Sequence, residues 1–407
     1  MPLISEMRLP FLPPEQSGFA EAFSFVGAAR GEHPWLARFD GGYMVHGYQA
    51  AQELLVMDDK LAAGFGGIVD FYDARGTLWG RFMEENILSR SGAAHARLRN
   101  SVREAFTPRQ ANAARPLMRQ VISDLLDEWR AKGAFDFAKF AACFPVAVMC
   151  ALLGVSAERV KPLHAALENQ MASITLNRDL KPTFMAGFET LWKFADELVA
   201  NREAAGPVEE EGLLDRLIAA KNAGGLDETE LRFMLLTLLV GGFDTSKNML
   251  TMMVYEMLDR PQAWARCAVD RDFCARVVEE MLRYSAIATV WREVVEAFEY
   301  DGVEFPKGAL IAVALPLTGR DPAVFAEPAR FDPERSHAQR HLAFGRGAHI
   351  CIGMFIARSQ LEEGLHLIAQ RIANPRLAGE VTWRPVLGAS GPQSLPIAFD
   401  APRGPVA

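Results

Sequence analysis

Phe344-Gly345-Arg346-Gly347-Ala348-His349-Ile350-Cys351-Ile352-Gly353 sets glycines six and four positions ahead of a cysteine. Gly345 and Gly347 permit a tight loop whose backbone lies close to a flat ligand, because a residue without Cβ turns freely. An amphipathic stretch follows at once, with Leu361, Leu365 and Ile368 on one face. Cys351 thus stands just before a helix N-terminus, where free N–H groups and the helix dipole favour negative charge. Both stabilise a thiolate. A thiolate with backbone donors aimed at it is what an axial haem ligand needs. A glycine-rich turn with a buried cysteine is the plainer alternative.

The other cysteines form two pairs seven apart, Cys143 with Cys150 and Cys267 with Cys274. On a helix that spacing separates them by about 10.5 Å along the axis, beyond disulfide reach. All four sit among apolar residues and read as buried core thiols. The 407 residues are 50% hydrophobic, ample for a large core. No repeat or low-complexity tract divides the chain. Glu203 to Gly212 reads as a surface loop inside one domain spanning 1–407. The net charge is −8 with no dense Lys/Arg run, which argues against a nucleic-acid partner. Met1 to Glu6 lacks the basic start and apolar stretch of a signal peptide. No apolar run reaches the roughly 18 residues of a membrane span. The expectation is a cytoplasmic protein without membrane contact.

Helical signals dominate. Asp227 with Glu230 forms a capping box, and a mainly apolar stretch runs from there to Arg260, stopped by Pro261. Apolar through Phe233 to Val240, this long helix is expected to cross the core. Further helices are expected at Pro116 to Trp129, Phe184 to Arg202, Phe273 to Tyr284 and Met354 to Ile372. Trp35 to Phe39 and Tyr43 to His46 flank Asp40-Gly41-Gly42 as a hairpin. Glu296 to Tyr300 and Val303 to Phe305 flank Asp301-Gly302 as another. Ala309 to Leu315 is an apolar run ended by Pro316. The expected fold is mainly α with a small β part, from about 35–46 and 294–315 plus the C-terminal segment.

The segment 344–353 matches Phe-Gly-x-Gly-x-(His/Arg)-x-Cys-x-Gly in full, and so resembles the haem-binding loop of the cytochrome P-450 family. The likeness extends from about Trp35 to Phe399. It implies the cytochrome P-450 fold with a long central distal helix. It also implies haem b (iron protoporphyrin IX) as cofactor and Cys351 as the ligand to its iron. Phe344, Gly345, His349 and Gly353 would lie at the cofactor.

Three further patterns fit the resemblance. Gly241-Gly242-Phe243-Asp244-Thr245 matches the family's (Ala/Gly)-Gly-x-(Asp/Glu)-Thr. Two glycines inside a helix cost about 1 kcal/mol each, and such local adjustments often mark function. The family kink at Gly241 would leave room for O2, with Asp244 and Thr245 as catalytic residues passing protons. Packing through small residues is the alternative. Glu280-Met281-Leu282-Arg283 is similar to the family's Glu-x-x-Arg, with Arg335 as structural third partner; spacing three puts the pair on one helix face. An exposed pair worth under about 1 kcal/mol would be the bland reading. A second match, Glu327 to Arg330, contains Pro328, which argues against helix. Haem propionates need cations, and His95, Arg99, Arg292 and His349 fall where the family places them. There are two departures. Ser91-Gly92-Ala93-Ala94 lacks the usual proline, and Thr318-Gly319-Arg320-Asp321 lacks a common asparagine.

The resemblance implies a monooxygenase that inserts one atom of O2 into an apolar organic substrate, with electrons from a separate ferredoxin and reductase. Arg103, Arg109, Arg346 and Arg358 are the candidates for docking such an acidic partner. The expected substrate pocket comprises Phe82, Met83, Ile87, Leu88, Leu238, Ala288, Thr289, Val290 and Leu387 to Ser390, with Met171 to Leu176 as a lid. The alternatives are a haem-thiolate ligand or gas sensor without turnover, and a peroxide-driven oxygenase or isomerase.

Overall fold

In the computed structural model, Asp227 accepts a hydrogen bond from Glu230 N at 2.7 Å, and the Glu230 carboxylate accepts one from Asp227 N at 3.0 Å. This capping box starts the expected long helix, Glu228–Leu258, of 31 residues. At 1.5 Å per residue it spans about 46 Å. The structure describes residues 2–13, 18–156, 159, 161–171, 173, 177–206, 211–336 and 341–400.

The central helix is buried on nearly every side from Leu231 to Leu239. It packs against Phe137–Leu152 and Met354–Arg371. The Met354–Arg371 helix buries Leu361, Leu365 and Ile368, the face read from the sequence. It lies in turn against Arg115–Arg130, Pro261–Val269 and Arg271–Tyr284.

The main sheet joins distant parts of the chain. Its strand order is Leu36–Phe39, Gly42–Val45, Leu310–Ala314, Thr289–Val294, Leu61–Ala63. Only the pairing of Gly42–Val45 with Leu310–Ala314 is parallel, with Met44 opposite Ala312. The hairpin of Phe298–Tyr300 and Val303–Phe305 turns at Asp301 (φ 47°) and Gly302 (φ 77°). Those positive angles are what a two-residue turn needs, and Asp-Gly supplies them. Near the C-terminus, Pro396–Asp400 pairs with Ala134–Asp136 and Ala373–Leu377. Thr382–Arg384 forms a hairpin with Gly391–Ser394.

Four expectations change. The central helix runs as α-helix through Gly241 and Gly242 without a break; the Thr245 hydroxyl, bonded to Gly241 O at 2.8 Å, is what marks the place. Cys267 and Cys274 lie on separate helices, since Asp270 ends one and caps the next. Cys274 Sγ donates to Cys267 O at 3.2 Å. Cys143 is only partly buried, with its thiol on Lys139 O. The run ending at Leu315 bends into the short helix Leu315–Thr318, as Pro316 suits a first helical turn. The expected lid at Met171 to Leu176 falls largely outside the described residues.

Candidate active site

The glycine loop is built as its residues require. Gly345 (φ 71°) and Gly347 (φ 74°) both occupy left-handed backbone. A Cβ on Gly347 would stand 3.0 Å from Leu55 O. Cys351 N donates to Phe344 O at 2.8 Å, which closes the loop. The Met354–Arg371 helix begins three residues after the cysteine, with Gly353 as its cap. Phe344 lies beneath Arg358, whose guanidinium carbon is 4.6 Å from the ring centroid.

Cys351 presents accessible surface even though protein packs closely around its thiol. Burial pushes the thiol up, while the Gly353 N–H, Arg99 and Arg358 pull it down. On the central helix, Gly241 and Thr245 are exposed while Phe243, Asp244 and Ser246 are buried. Gly241 and Thr245 lie one turn apart on one face. A Cβ on Gly241 would meet nothing within 4 Å.

Four basic side chains gather beside the loop. The rings of His95 and His349 lie 4.1 Å apart between centroids. Arg99 Nη2 donates to Ile350 O at 2.7 Å, and Arg292 Nη1 to Trp291 O at 3.1 Å. Burial, then His95, Arg292 and Arg99, hold His349 down at about 4. Burial and then Arg99 lower His95. Burial also lowers Arg292, with Asp58 opposing it. Neither arginine forms an ion pair with a carboxylate among the described residues. A buried or half-buried cation without a directly paired carboxylate is costly, so this cluster suits a ligand carrying two carboxylates. A thiol, an open glycine face and such a cluster together fit a haem.

Glu280 and Arg283, both wholly buried, tie together the segment 319–335 that precedes this loop in sequence. Arg283 donates Nε to Glu280 Oε2 at 2.8 Å and Nη2 to Oε1 at 2.6 Å. It also serves Gly319 O at 2.7 Å, Pro328 O at 2.9 Å and Arg330 O at 3.0 Å. Arg335 Nε reaches Glu280 Oε1 at 3.4 Å, and Asp332 N reaches the same oxygen at 2.8 Å. A Cβ on Gly319 would fall 1.8 Å from Arg283 O, so only glycine fits where the sequence lacks the common asparagine. The second Glu-x-x-Arg pair, Glu327 with Arg330, is an exposed bond in a turn.

The pocket candidates separate by exposure. Phe82, Met83, Ile87 and Leu238 are buried apolar residues. Leu88 is 48% exposed. Ser390 is wholly buried with its hydroxyl on Ile287 O at 3.1 Å. Thr289 Oγ1 is bonded to Val386 O at 3.1 Å. Ala288 and Val290 are half-buried. Surface clefts of about 460 and 470 Å³, near Trp35 and Trp264, share no residue with this constellation.

Two charged partnerships lie beyond the reach of sequence reading. Arg384 pairs with Asp244 across 140 residues. Arg358, a candidate for partner docking, is held by Glu279, which also accepts from His341 at 3.3 Å. Arg103, Arg109 and Arg346 remain exposed. Burial favours a raised value for Glu279, but hydrogen bonds from His341 and Arg358 outweigh it and hold the carboxyl at about 2. That pairing stabilises the fold above about pH 4.5, the ordinary value, and is lost as pH falls towards 2. Glu279 is 34% exposed, so solvent screening keeps the effect small. Glu279→Gln is expected to cost about 1 kcal/mol at pH 7. It should also flatten the loss of stability between pH 4.5 and 3. Urea unfolding at each pH checks this, and an unaltered acid slope would contradict it.

A sequence model described as Cytochrome P450 matches residues 41–372. Luteothin monooxygenase of Streptomyces thioluteus is 33% identical over 396 residues, 97% of this chain and 97% of that protein. The 6-deoxyerythronolide B hydroxylase of Saccharopolyspora erythraea is 32% identical over 313 residues, 75% of this chain and 76% of the hydroxylase. Among solved structures, the cytochrome P450 enzyme CxnD, for C–S bond formation in chuangxinmycin biosynthesis, superposes with TM-score 0.85 at 26% identity. That match covers 98% of this chain and 100% of the other. Epothilone B-bound cytochrome P450epoK superposes with TM-score 0.86 at 21% identity, over 97% and 100%. No described helix is long and apolar enough to cross a membrane.

Proposed function

The chain belongs to the cytochrome P450 family and is a monooxygenase, and we propose that it hydroxylates an apolar small molecule with electrons from a separate ferredoxin. The observation that carries this reading is the Cys351 thiol on its glycine loop, beside the buried Arg292 and the half-buried Arg99, neither of them in an ion pair with a carboxylate among the described residues. Cys351 Sγ would bind the iron of haem b, and His95, Arg99, Arg292 and His349 would hold its propionates. A thiolate-ligated haem supplies reductive activation of O2, since the sulfur donates electron density to the iron.

The chain's own residues do the rest. Asp244 and Thr245 hold and move protons at the face of the central helix that Gly241 leaves open. Phe344, packed under Arg358, would lie at the cofactor on the thiol side. Phe82, Met83, Ile87, Leu238 and Ala288 offer apolar contact and no charge, which selects an apolar substrate. Relatives named for 6-deoxyerythronolide B hydroxylation and for polyketide biosynthesis support that class. The exposed Arg103, Arg109 and Arg346 would steer an acidic ferredoxin.

The test begins with a spectral screen of hydrophobic compounds, 6-deoxyerythronolide B and myristic acid included, for conversion of the ferric haem to high spin. Product should then require NADH, ferredoxin, reductase and O2. Product from peroxide alone, or spectral binding without product from any compound, would contradict the reading. Thr245→Ala is expected to leave the spectral binding constant within about twofold. It should divert most reducing equivalents to hydrogen peroxide, because productive turnover loses the roughly 10²-fold or more that a positioned proton-transfer group contributes. Unchanged coupling would remove Thr245 from proton delivery.

A further inference from the structure

Asp244 is held in place by its neighbours. Arg384 Nη1 donates to both of its oxygens, at 2.9 and 2.7 Å. Asn248 Nδ2 donates to Oδ2 at 3.3 Å. Asp244 is 1% exposed and the Arg384 side chain 23%, so the arginine is the member that reaches solvent. Thr245 donates to Gly241 O instead of to Asp244. Acid and alcohol are each engaged elsewhere, and no hydrogen bond joins them among the described residues. Beside them, Asn248 Oδ1 is buried without a partner among the described residues. It is an acceptor open to a mobile donor.

Arg384 is the last residue of its strand in the Thr382–Arg384 and Gly391–Ser394 hairpin. The hairpin packs on the central helix so closely that a Cβ on Gly391 would stand 3.2 Å from Asn248 Cβ. Its turn is sewn to the segment 287–289. Thr289 N donates to Gly388 O at 2.8 Å, and Thr289 Oγ1 to Val386 O at 3.1 Å. Ser390 N donates to Ile287 O at 2.8 Å, and Ala288 bridges Ala389. A continuous set of backbone bonds thus links a pocket-wall candidate, Ala288, to the strand that carries Arg384.

We propose that Arg384 is a positioning residue that latches the Asp244 carboxylate, and that substrate displacing the 386–390 turn releases it to carry protons. This rests on the proton role proposed above for Asp244. Latched, the carboxylate is fixed by a charge-assisted bond in a poorly solvated place, where such bonds are strong. Released, the carboxylate takes up a proton from bulk water through the opening Arg384 leaves and passes it towards Thr245, and so returns to its starting state. The guanidinium stays protonated throughout.

The test uses the full-length, haem-loaded chain without substrate, driven by NADH through a bacterial ferredoxin and its reductase. The leak reaction balances as NADH + H⁺ + O2 giving NAD⁺ and H2O2. Wild type is compared with Arg384→Gln, Arg384→Lys, Asp244→Asn and the Arg384→Gln/Asp244→Asn double variant. Labelling of Asp244 by carbodiimide and glycine ethyl ester, read by mass spectrometry, reports the latch independently of turnover. Arg384→Gln is expected to raise both labelling and leak about tenfold or more, the scale of one lost charged hydrogen bond. Arg384→Lys should restore at least half of the wild-type protection. In the Asp244→Asn background, Arg384→Gln should change the leak no further. If Arg384→Gln fails to fold, Arg384→Met, which keeps the packing stem, carries the same expectations. Wild-type labelling and leak in the Gln or Met variant, or full additivity in the double variant, would overturn the latch alone. A leak and solvent isotope effect unchanged by Asp244→Asn would overturn the proton role and the latch with it.

Discussion

Cys351→Ser is expected to abolish the red-shifted Soret band of the reduced carbonyl complex. That band reports a thiolate bonded opposite the carbonyl, and serine offers a far less acidic hydroxyl in its place. The loop itself should survive the change. Its closure rests on Cys351 N donating to Phe344 O and on the positive φ angles of Gly345 and Gly347, none of which involves sulfur. The variant should therefore fold, with a thermal midpoint of the haem-free protein within a few degrees of wild type. Product formation should fall by a factor of about 10³ or more, since the electron donor behind O2 activation is gone. The red-shifted band retained in Cys351→Ser would assign the ligand elsewhere.

Arg283→Ala is expected to give little haem-containing protein. The substitution leaves Glu280 buried with only Asp332 N and a long contact from Arg335. It also removes the donors to Gly319 O, Pro328 O and Arg330 O. Breaking a buried pair by removing one partner costs about 3–5 kcal/mol, against a total stability of about 5–15 kcal/mol. The damage should spread through segment 319–335 and loosen the brace of the cysteine loop. Arg283→Lys should rescue little, because an ammonium cannot reproduce the guanidinium fork. Haem-to-protein ratio and yield check this. Normal haem content in Arg283→Ala would refute the bracing role.

The fold was legible mainly where local chemistry decides it. The Asp227–Glu230 capping box and the Asp301-Gly302 turn act through neighbours in sequence and sit where they were read, while the long helix ends at Leu258, short of the expected Arg260, and Pro261 opens the next helix. The strands Leu61–Ala63, Ala134–Asp136 and Ala373–Leu377 were not read, because three to five residues carry too little periodicity. Asp270 hid a helix boundary between Cys267 and Cys274, which made the pair look like one helix. At the site, the family resemblance brought out Glu280 with Arg283, and His95 with Arg99, at spacings that put each pair on one helix face. It did not bring out Arg384 or Glu279, since their partners lie 140 and 79 residues away and are set by tertiary packing alone. Ser390 looked like a pocket hydroxyl, yet its oxygen already serves a backbone carbonyl.

Iron K-edge X-ray absorption on the purified, haem-loaded chain addresses the bond between Cys351 and iron without reference to substrate, partner or turnover. A sulfur atom at bonding distance from iron in wild type, and absent in Cys351→Ser, is the expected result. An iron surrounded by nitrogen and oxygen alone in wild type would contradict it.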